Sequence, residues 1–221
     1  MIDFLRNVPL FSSLSPQQLD SIAAICHKKT FAGGTVLFEE KEPGSIFYIV
    51  FSGSVKIYNR SQSGEEKVLS VFKAGDSFGE LSLIDGKPRS TSAQTLENSV
   101  MITLAASSFL ALLRTNFDIC LLIMQELSGR LRETNQHVYD LTFLDARSRV
   151  IKNLIKLANK NGTRQGHIVT IRTMLDYNEI SQLAGVQKPV LMQVIRDLQE
   201  KQILTFQGSD MILNLSKLGT A

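Results

Sequence analysis

The chain of 221 residues is predicted to be an α+β protein made of three consecutive segments. Short apolar runs separated by glycines fill the first half, a proline-free stretch with a heptad pattern follows, and the last third contains two amphipathic stretches and two short apolar runs. These patterns indicate a β-roll or jelly roll, then one long helix, then a helix pair followed by a hairpin. We expect the three segments to cover residues 1–115, 116–143 and 144–221.

The composition is typical of a soluble globular protein. Hydrophobic residues make up 43% of the chain and charged residues 20%. The longest apolar run, Ile119–Met124, is too short to span a bilayer, and the first residues lack the basic start and apolar core of a signal peptide. We therefore expect a cytoplasmic protein without a membrane partner. Because the only cysteines are Cys26 and Cys120, a four-thiolate zinc or iron–sulfur site is excluded, and no metal is expected.

Residues 30–105 are predicted to form the roll. Six glycines recur every nine to eleven residues: Gly34, Gly44, Gly53, Gly64, Gly75 and Gly86. The runs between them are rich in β-branched and aromatic residues, a cadence typical of short strands joined by turns. A helix is expected before the roll, with Ser15 as its N-cap and Pro16 at its first position.

One stretch of the predicted roll carries side chains suited to a ribose phosphate. The run Phe-Gly-Glu-Leu-Ser-Leu begins at Phe78, and a Pro-Arg-Ser run ends at Ser90. The Glu80 carboxylate can accept bonds from ribose hydroxyls, and the Arg89 guanidinium can hold a phosphate with two parallel bonds. Gly79 lets the backbone approach a ligand closely. The whole string therefore predicts a pocket for a cyclic nucleotide, although one Glu and one Arg alone would more often form a surface ion pair.

The middle segment is predicted to be a dimerisation helix. Seven residues follow one another at alternating spacings of four and three: Cys120, Met124, Leu127, Leu131, Thr134, Val138 and Leu141. Such a seam is typical of paired helices, and the alternative is an amphipathic helix packed on its own domain. The polar position Thr134, followed by Asn135, either fixes the register of the seam or offers hydrogen bonds to a base. The spacing leaves both interpretations open.

The last segment is predicted to be a helix-turn-helix with a wing. Asp145 is a suitable N-cap for a helix over about 146–161, and a second capping pattern begins at Asp176. A glycine turn at 185–187 leads to a second helix over about 188–201. The wing is a hairpin of residues 203–206 and 211–215 with a turn at 208–210, after a short strand at 168–171.

Positive charge is concentrated in this last segment. Residues 1–143 contain 13 Lys and Arg against 15 Asp and Glu, a balance of −2. Residues 144–221 contain 11 against 6, a balance of +5. This surplus favours a nucleic-acid partner, although solvated faces of other domains carry similar surpluses.

In this order, the three segments resemble the Crp–Fnr family of bacterial transcription factors over nearly the whole chain. The 78–90 stretch is similar to the family's phosphate-binding cassette, the run at 179–186 to its helix-turn-helix, and the junction at 142–145 to its hinge. The resemblance implies a homodimer that binds double-stranded DNA at an inverted repeat under the control of a ligand. RNA polymerase is a further partner that the resemblance allows.

The resemblance also implies roles for the cassette residues. In the cyclic AMP-binding members, the cassette glutamate, here Glu80, bonds the ribose 2′-hydroxyl. Arg89 and Ser90 stand where the family holds the cyclic phosphate, and backbone around Gly79 and Leu81 completes the site.

On the dimer helix, the family places a Thr-Ser pair against adenine, and that place is held here by Thr134 and Asn135. Arg130 is a further candidate on the same helix. Because an Asn side chain both donates and accepts, it suits adenine, guanine or neither. The expected effector is cyclic AMP, with cyclic GMP as the alternative.

The recognition helix departs from the cyclic AMP receptor proteins, where its start carries Arg and Glu and a second Arg follows. Those places hold Lys188, Pro189 and Gln193 here, after Gln187. Lysine reaches guanine acceptors and glutamine pairs with adenine, whereas proline cannot bond a base. Arg196 is expected to meet phosphate or solvent. The operator should therefore differ from the TGTGA palindrome and keep half-sites about one helical turn apart.

Other interpretations remain open. In one alternative, the same DNA-binding regulator responds to haem with a bound gas, to another metabolite, or to no ligand. In an alternative of a different class, the protein is a cyclic-nucleotide-binding module that acts on a protein partner. An enzyme is not expected, because the only convergent polar cluster is the cassette, which has no evident nucleophile–base pair.

Overall fold

The computed structural model of the chain describes residues 1–12, 14–172, 175–208 and 210–220. The chain divides into two compact units, Met1–Thr134 and Asn135–Ala221. The boundary between the two units lies inside one continuous helix.

The first unit contains helices at both ends and strands between them, with one short helix, α3, among the strands. Its helices are α1 (Ile2–Arg6), α2 (Pro16–Ile25), α3 (Leu81–Asp85), α4 (Ala106–Thr115) and most of α5 (Phe117–Phe143), with a 3₁₀ turn at Pro9–Phe11. Its strands are β1 (His27–Phe31), β2 (Val36–Phe38), β3 (Ile46–Ser52), β4 (Ser54–Arg60), β5 (Glu66–Lys73), β6 (Ser77–Phe78), β7 (Ser92–Thr95) and β8 (Ser99–Ala105).

These strands form two antiparallel sheets, with the orders β1-β8-β3-β6 and β2-β7-β4-β5. Buried side chains from both sheets pack together: Phe38, Tyr48, Val50, Val55, Ile57, Phe78, Ala93 and Met101. A second core joins the other face of the first sheet to α1, α2, α4 and the start of α5. The predicted roll is confirmed, and so is Ser15 as the N-cap of α2, where Ser15 and Gln18 form a capping box by bonding each other's backbone.

The helix α5 packs on the first unit with only part of its surface. Ile119 and Ile123 are buried in the helical core. Three residues of the predicted seam, Met124, Leu131 and Val138, are 49%, 62% and 57% exposed. One face of the helix therefore packs on its own unit, as an amphipathic helix would, while apolar residues of the predicted seam remain in contact with solvent.

Among the described residues, no helix is by itself long and apolar enough to cross a bilayer. Helices α4 and α5, bent by 110° against each other, reach the required length and composition only as a pair.

The second unit contains the end of α5, three further helices and one four-stranded antiparallel sheet. Its elements are α6 (Ala146–Asn161), β9 (Gly162–Gln165), β10 (Ile168–Arg172), α7 (Tyr177–Ala184), α8 (Lys188–Glu200), β11 (Leu204–Gln207), β12 (Asp210–Asn214) and a 3₁₀ turn at Leu215–Thr220. The strand order is β11-β12-β10-β9.

Local capping explains why α6 and α7 begin where the sequence predicts. Asp145 accepts a bond from the Ser148 backbone at 2.7 Å, and Asp176 forms a capping box with Glu179. The predicted turn at 208–210 includes Ser209, which lies outside the described residues.

Candidate functional site

The backbone of the β-roll fixes Arg89 in place. The Arg89 N–H donates to Glu42 O at 2.8 Å, and the Lys41 N–H donates to Arg89 O at 2.8 Å. These two reciprocal bonds tie the loop after α3 to the loop between β2 and β3. The side chain therefore starts from a fixed backbone and is 5% exposed.

The Arg89 guanidinium cross-links three parts of the roll. Its Nη1 donates to Gly79 O at 2.6 Å and to Ser82 Oγ at 2.9 Å, and its Nη2 donates to Ile46 O at 2.7 Å. The guanidinium also lies 4.2 Å from the centroid of the Phe38 ring, a cation–π distance. Its charge is thus held by dipoles and an aromatic face, and burial lowers the pKa of Arg89.

Glu80 lies at the first turn of α3 and pairs with the long helix rather than with Arg89. Its Oε1 accepts from Arg130 Nη1 at 2.9 Å, and the Glu80 side chain is 6% exposed. Arg130 also donates to Ser77 O and to Glu126, one turn earlier on α5, and lies over the Phe72 ring at 4.8 Å. One arginine therefore joins α5 to the cassette.

Each of the two charged cassette residues has one polar atom whose hydrogen-bonding capacity the described residues leave unused. Arg89 Nε and Glu80 Oε2 are buried and have no hydrogen-bond partner among the described residues. A guanidinium carries five N–H donors in a planar fork, and a carboxylate oxygen accepts hydroxyl protons. A donor and an acceptor of this kind suit the phosphate and the ribose hydroxyl of a cyclic nucleotide.

Gly79 allows this arrangement. Its φ of +86° lies in the left-handed region, where side chains are strained. A Cβ at this position would lie 2.9 Å from Arg89 Nη1 and 3.2 Å from Ile46 O. Both the turn and the close approach of Arg89 therefore require glycine.

The remaining cassette candidates are more exposed. Leu81 is the first residue of α3 and is 46% exposed, and Ser90 is exposed beside Arg89. The carbonyl of Ser90 accepts a bond from Asn59 Nδ2 at 3.4 Å. The structure brings Gly79, Glu80 and Arg89 together and leaves these two at the rim.

Thr134 and Asn135 lie on α5 and are both exposed. The Thr134 hydroxyl donates to Arg130 O at 2.9 Å, the bond that a threonine makes with its own helix one turn back. The interpretation of Thr134 as a base contact and its interpretation as a seam residue both remain predictions.

From the sequence, Arg130 is only a further candidate, Ser82 belongs to the cassette run without a role of its own, and Glu126 is not predicted at all. The spacing of Glu126 and Arg130, four residues apart on a predicted helix, is a signal of an ion pair. The contact of Arg130 with Glu80 has no comparable signal, because 50 residues separate the two in the chain.

The predicted DNA-contacting residues share one exposed face of the second unit. Pro189, Gln193 and Arg196 follow one another at spacings of four and three on α8, and Gln187 and Lys188 stand at its start. All five are exposed. The opposite face of α8 is buried through Leu191, Val194, Ile195 and Leu198.

Replacement of Glu80 by Gln should change how stability depends on pH. Burial raises the pKa of Glu80, while the charge of Arg130 lowers it, and burial is the larger effect. A carboxyl whose folded-state pKa is raised above 4.5 stabilises the fold below that pH, and this stabilisation is lost as pH rises through the folded-state pKa. The free energy of unfolding of wild type, relative to Glu80→Gln, should therefore fall as the pH rises above about 4.5.

Urea unfolding of both proteins at several pH values checks this expectation. Glu65→Gln, which removes an exposed carboxylate of the same unit, supplies the baseline. A relative stability that rises with pH would mean that Arg130 outweighs burial.

Comparison with known proteins finds relatives along nearly the whole chain. Residues 28–116 match the cyclic nucleotide-binding domain. The CRP-like cAMP-activated global transcriptional regulator of Mycobacterium tuberculosis is 29% identical over 217 residues, which cover 98% of this chain and 97% of that protein. The cyclic AMP receptor protein of Thermus thermophilus is 29% identical over 200 residues, which cover 90% and 89%.

The fold has solved counterparts as well. The c-di-GMP-responsive global regulator CLP of Xanthomonas campestris has a TM-score of 0.76 at 24% identity, over 90% of this chain and 99% of that one. With a cyclic nucleotide-binding domain at residues 28–116 and likeness to CRP-like regulators along nearly its whole length, the chain is similar to transcription regulators of the Crp–Fnr family.

Proposed function

We propose that this regulator is a cytoplasmic homodimer whose binding to DNA is controlled by a cyclic nucleotide, cyclic AMP in the first place. One observation carries the choice of ligand. Arg89 and Glu80 each present a buried polar atom without a partner among the described residues, and the two residues flank the same short helix. A buried donor or acceptor left unpaired costs about 1–3 kcal/mol, so a ligand that pairs both gains that free energy on binding.

The roles follow from the chemistry of each group. Arg89 Nε, with the hydroxyl of Ser90, holds the cyclic phosphate, and Glu80 Oε2 accepts the ribose 2′-hydroxyl. Backbone at Gly79 and Leu81 completes the site, as the family resemblance implies.

Thr134 and Asn135 contact the base in this proposal. Their hydroxyl and amide groups both donate and accept, so they suit the adenine of cyclic AMP and leave cyclic GMP as a competitor.

The contact between Arg130 and Glu80 gives the ligand a route to the long helix. A nucleotide that bonds Glu80 approaches the carboxylate that Arg130 already holds at 2.9 Å. Only a ligand that interacts differently with two arrangements of α5 shifts the balance between them. The ion pair between Arg130 and Glu80 is one contact through which a ligand can interact differently with these two arrangements.

Calorimetric titration of the purified protein tests the ligand directly. We expect cyclic AMP to bind with micromolar or tighter affinity, cyclic GMP more weakly, and linear 5′-AMP much more weakly, because its phosphate carries an extra charge and lacks the ring. Cyclic di-GMP, the signal of the structural neighbour, is included as a competitor. Absence of binding to cyclic AMP and cyclic GMP would remove the cyclic nucleotide from the proposal and favour another signal or ligand-independent DNA binding.

The proposed dimer uses the exposed seam of α5. Leu131 and Val138, one heptad apart, are 62% and 57% exposed in the single chain. Two copies that bury such a seam gain about 25 cal/mol for each Å² of apolar surface removed from water.

The substitution Leu131→Asp should therefore shift the protein from dimer to monomer. A charge in the centre of a paired-helix seam loses its hydration without gaining a partner. Analytical ultracentrifugation over a concentration series measures the shift, which we expect to exceed tenfold in the dissociation constant. Gln125→Asp, an exposed residue of α5 outside the seam, is the control and should leave the dimer intact. A Leu131→Asp protein that remains dimeric at the same concentrations would rule out this seam.

Double-stranded DNA is the partner of the second unit in this proposal. Gln187, Lys188, Pro189, Gln193 and Arg196 face the operator, and the two copies read an inverted repeat. RNA polymerase is the expected partner of the DNA-bound dimer. Selection of duplexes from a random pool, with and without cyclic AMP, tests this step. A protein that binds cyclic nucleotide and selects no duplex would instead be a module that acts on a partner protein.

A further inference from the structure

We infer that Arg149 is a positioning residue for DNA binding: its guanidinium fixes the turn between α7 and α8 relative to the end of α5. The inference rests on the proposed function only in taking α8 as the element that contacts DNA. Arg149 lies on α6, away from the exposed face of α8, and its role is to hold that helix at one angle.

On one side, Arg149 is bonded to the segment that follows α5. Its Nη1 donates to Leu144 O at 2.7 Å, and its own N–H donates to Asp145 O at 3.0 Å. Leu144 and Asp145 are the two residues between the end of α5 and the start of α6. The Arg149 guanidinium therefore bonds the hinge at 144–145 from the start of the helix that follows it.

On the other side, Arg149 is bonded to the turn before α8. Its Nε donates to Ala184 O at 3.2 Å, and its Nη2 donates to Gly185 O at 3.1 Å. The last carbonyls of a helix lack partners within the helix and carry its negative end, so a cation at that place is favourable. Gly185, with a φ of +64°, ends α7 in the left-handed region, two residues before Gln187.

The helix that carries Arg149, α6, is also attached to the end of α5. Lys152 Nζ lies 2.6 Å from Asp140 Oδ1, and Gln136 donates to the same oxygen at 2.9 Å. Asp140 is 7% exposed. Since the Leu144 N–H also donates to Asp140 O at 3.0 Å, a set of bonds within the second unit leads from the last turns of α5 through Arg149 to the turn before α8.

The geometry of arginine is necessary for this role. Three different nitrogens of one planar group bond three carbonyls from two segments. A lysine, with a single nitrogen on a flexible stem, cannot span the same acceptors in a fixed geometry. Loss of the clamp should leave α8 able to contact DNA while widening the range of angles at which it does so.

Two duplexes distinguish this role from a direct phosphate contact. Fluorescence anisotropy compares a duplex selected by the wild type in the presence of cyclic AMP with a scrambled duplex of equal length, at one salt concentration. Arg149→Gln should bind the selected duplex at least tenfold more weakly and the scrambled duplex within about twofold of wild type. Equal losses on both duplexes, or no loss on the selected one, would overturn the inference.

Two further variants separate charge from geometry. Arg149→Lys keeps the charge and should behave like Arg149→Gln, and full recovery by lysine would overturn the inference. Arg147→Gln is the matched control, two residues earlier on α6, where the arginine makes a 2.8 Å ion pair with Asp197 that is partly exposed on both sides. Exposed ion pairs contribute little to stability, so the Arg147→Gln control should keep its preference for the selected duplex.

Hydrogen exchange tests the clamp without DNA. The N–H groups of Gly185 and Val186 bond the carbonyls of Gln182 and Ser181 at the end of α7. In Arg149→Gln we expect these amides to exchange at least tenfold faster, with the middle of α6 unchanged. A uniform increase in exchange rate across the second unit, or no increase at Gly185 and Val186, would contradict the clamp. If the wild type selects no duplex, the proposed function fails while this measurement still decides the role of Arg149.

Discussion

The substitution Arg89→Gln is expected to weaken binding of cyclic AMP by at least about 100-fold. It removes the only charge that the site offers to the phosphate in our proposal, and truncating one partner of a buried charged pair costs about 2–5 kcal/mol. Since about 1.4 kcal/mol corresponds to a factor of ten, a loss of two orders of magnitude lies near the lower end of that range.

The fold should survive this substitution because two effects oppose each other. Gly79 O, Ile46 O and Ser82 lose a charged donor, and each buried group left unpaired costs about 1–3 kcal/mol. Removal of a buried charge offsets part of that loss. We therefore expect a protein destabilised by a few kcal/mol that remains folded.

Calorimetric titration beside thermal unfolding measures both quantities. Arg60→Gln is the control: it removes an arginine that is 51% exposed and pairs with Glu66 on the same roll. It should bind cyclic AMP as wild type does. A folded Arg89→Gln protein with wild-type affinity would disprove the assignment of Arg89 to the phosphate.

The substitution Gly79→Ala should both destabilise the roll and remove nucleotide binding. An L-residue in the left-handed region costs about 1–2 kcal/mol. The new methyl group would also lie 2.9 Å from Arg89 Nη1 and 3.2 Å from the backbone oxygen of Ile46, so the guanidinium must move away from its acceptors. We expect a loss of more than about 2 kcal/mol in the free energy of unfolding.

The control for this prediction is Gly64→Ala. Gly64 has nearly the same φ, +85° against +86°, but a Cβ there meets nothing within 4 Å. It therefore carries the backbone strain without the clash. The difference between the two variants in urea unfolding isolates the contact with Arg89, and only Gly79→Ala should lose affinity for cyclic AMP. Equal effects of the two substitutions would mean that Arg89 moves aside at no cost.

The elements that the sequence predicts correctly are those with strong local signals. The caps at Ser15, Asp145 and Asp176 each bond the backbone N–H that an N-cap residue is expected to bond. The apolar runs at 46–51 and 100–104 coincide with β3 and β8, which lie next to each other within the first sheet.

The strands that the sequence did not predict lack such signals. Strand β1 reads His-Lys-Lys-Thr-Phe and lies at a sheet edge with four exposed residues, and β7 reads Ser-Ala-Gln-Thr. Their pairing comes from neighbouring strands rather than from their own composition, which is why propensity alone misses them.

The candidate site likewise combines a local motif with contacts between residues far apart in the chain. Gly79, Glu80 and Arg89 belong to one local motif, so their meeting in space follows from the chain itself. The contacts of Arg89 with Ile46 and of Glu80 with Arg130 join residues 43 and 50 positions apart. Only the packing of the folded unit brings these residues together.

The bonds of Arg89 bear on how the motif is interpreted in divergent relatives. Most of its donors hold the fold itself, since they join β3, the turn at Gly79 and α3. Selection for a stable roll would therefore retain this arginine in a descendant that no longer sensed any nucleotide. Glu80 is a sharper marker of sensing, because a buried carboxylate with one oxygen that no described residue pairs destabilises a roll that binds nothing.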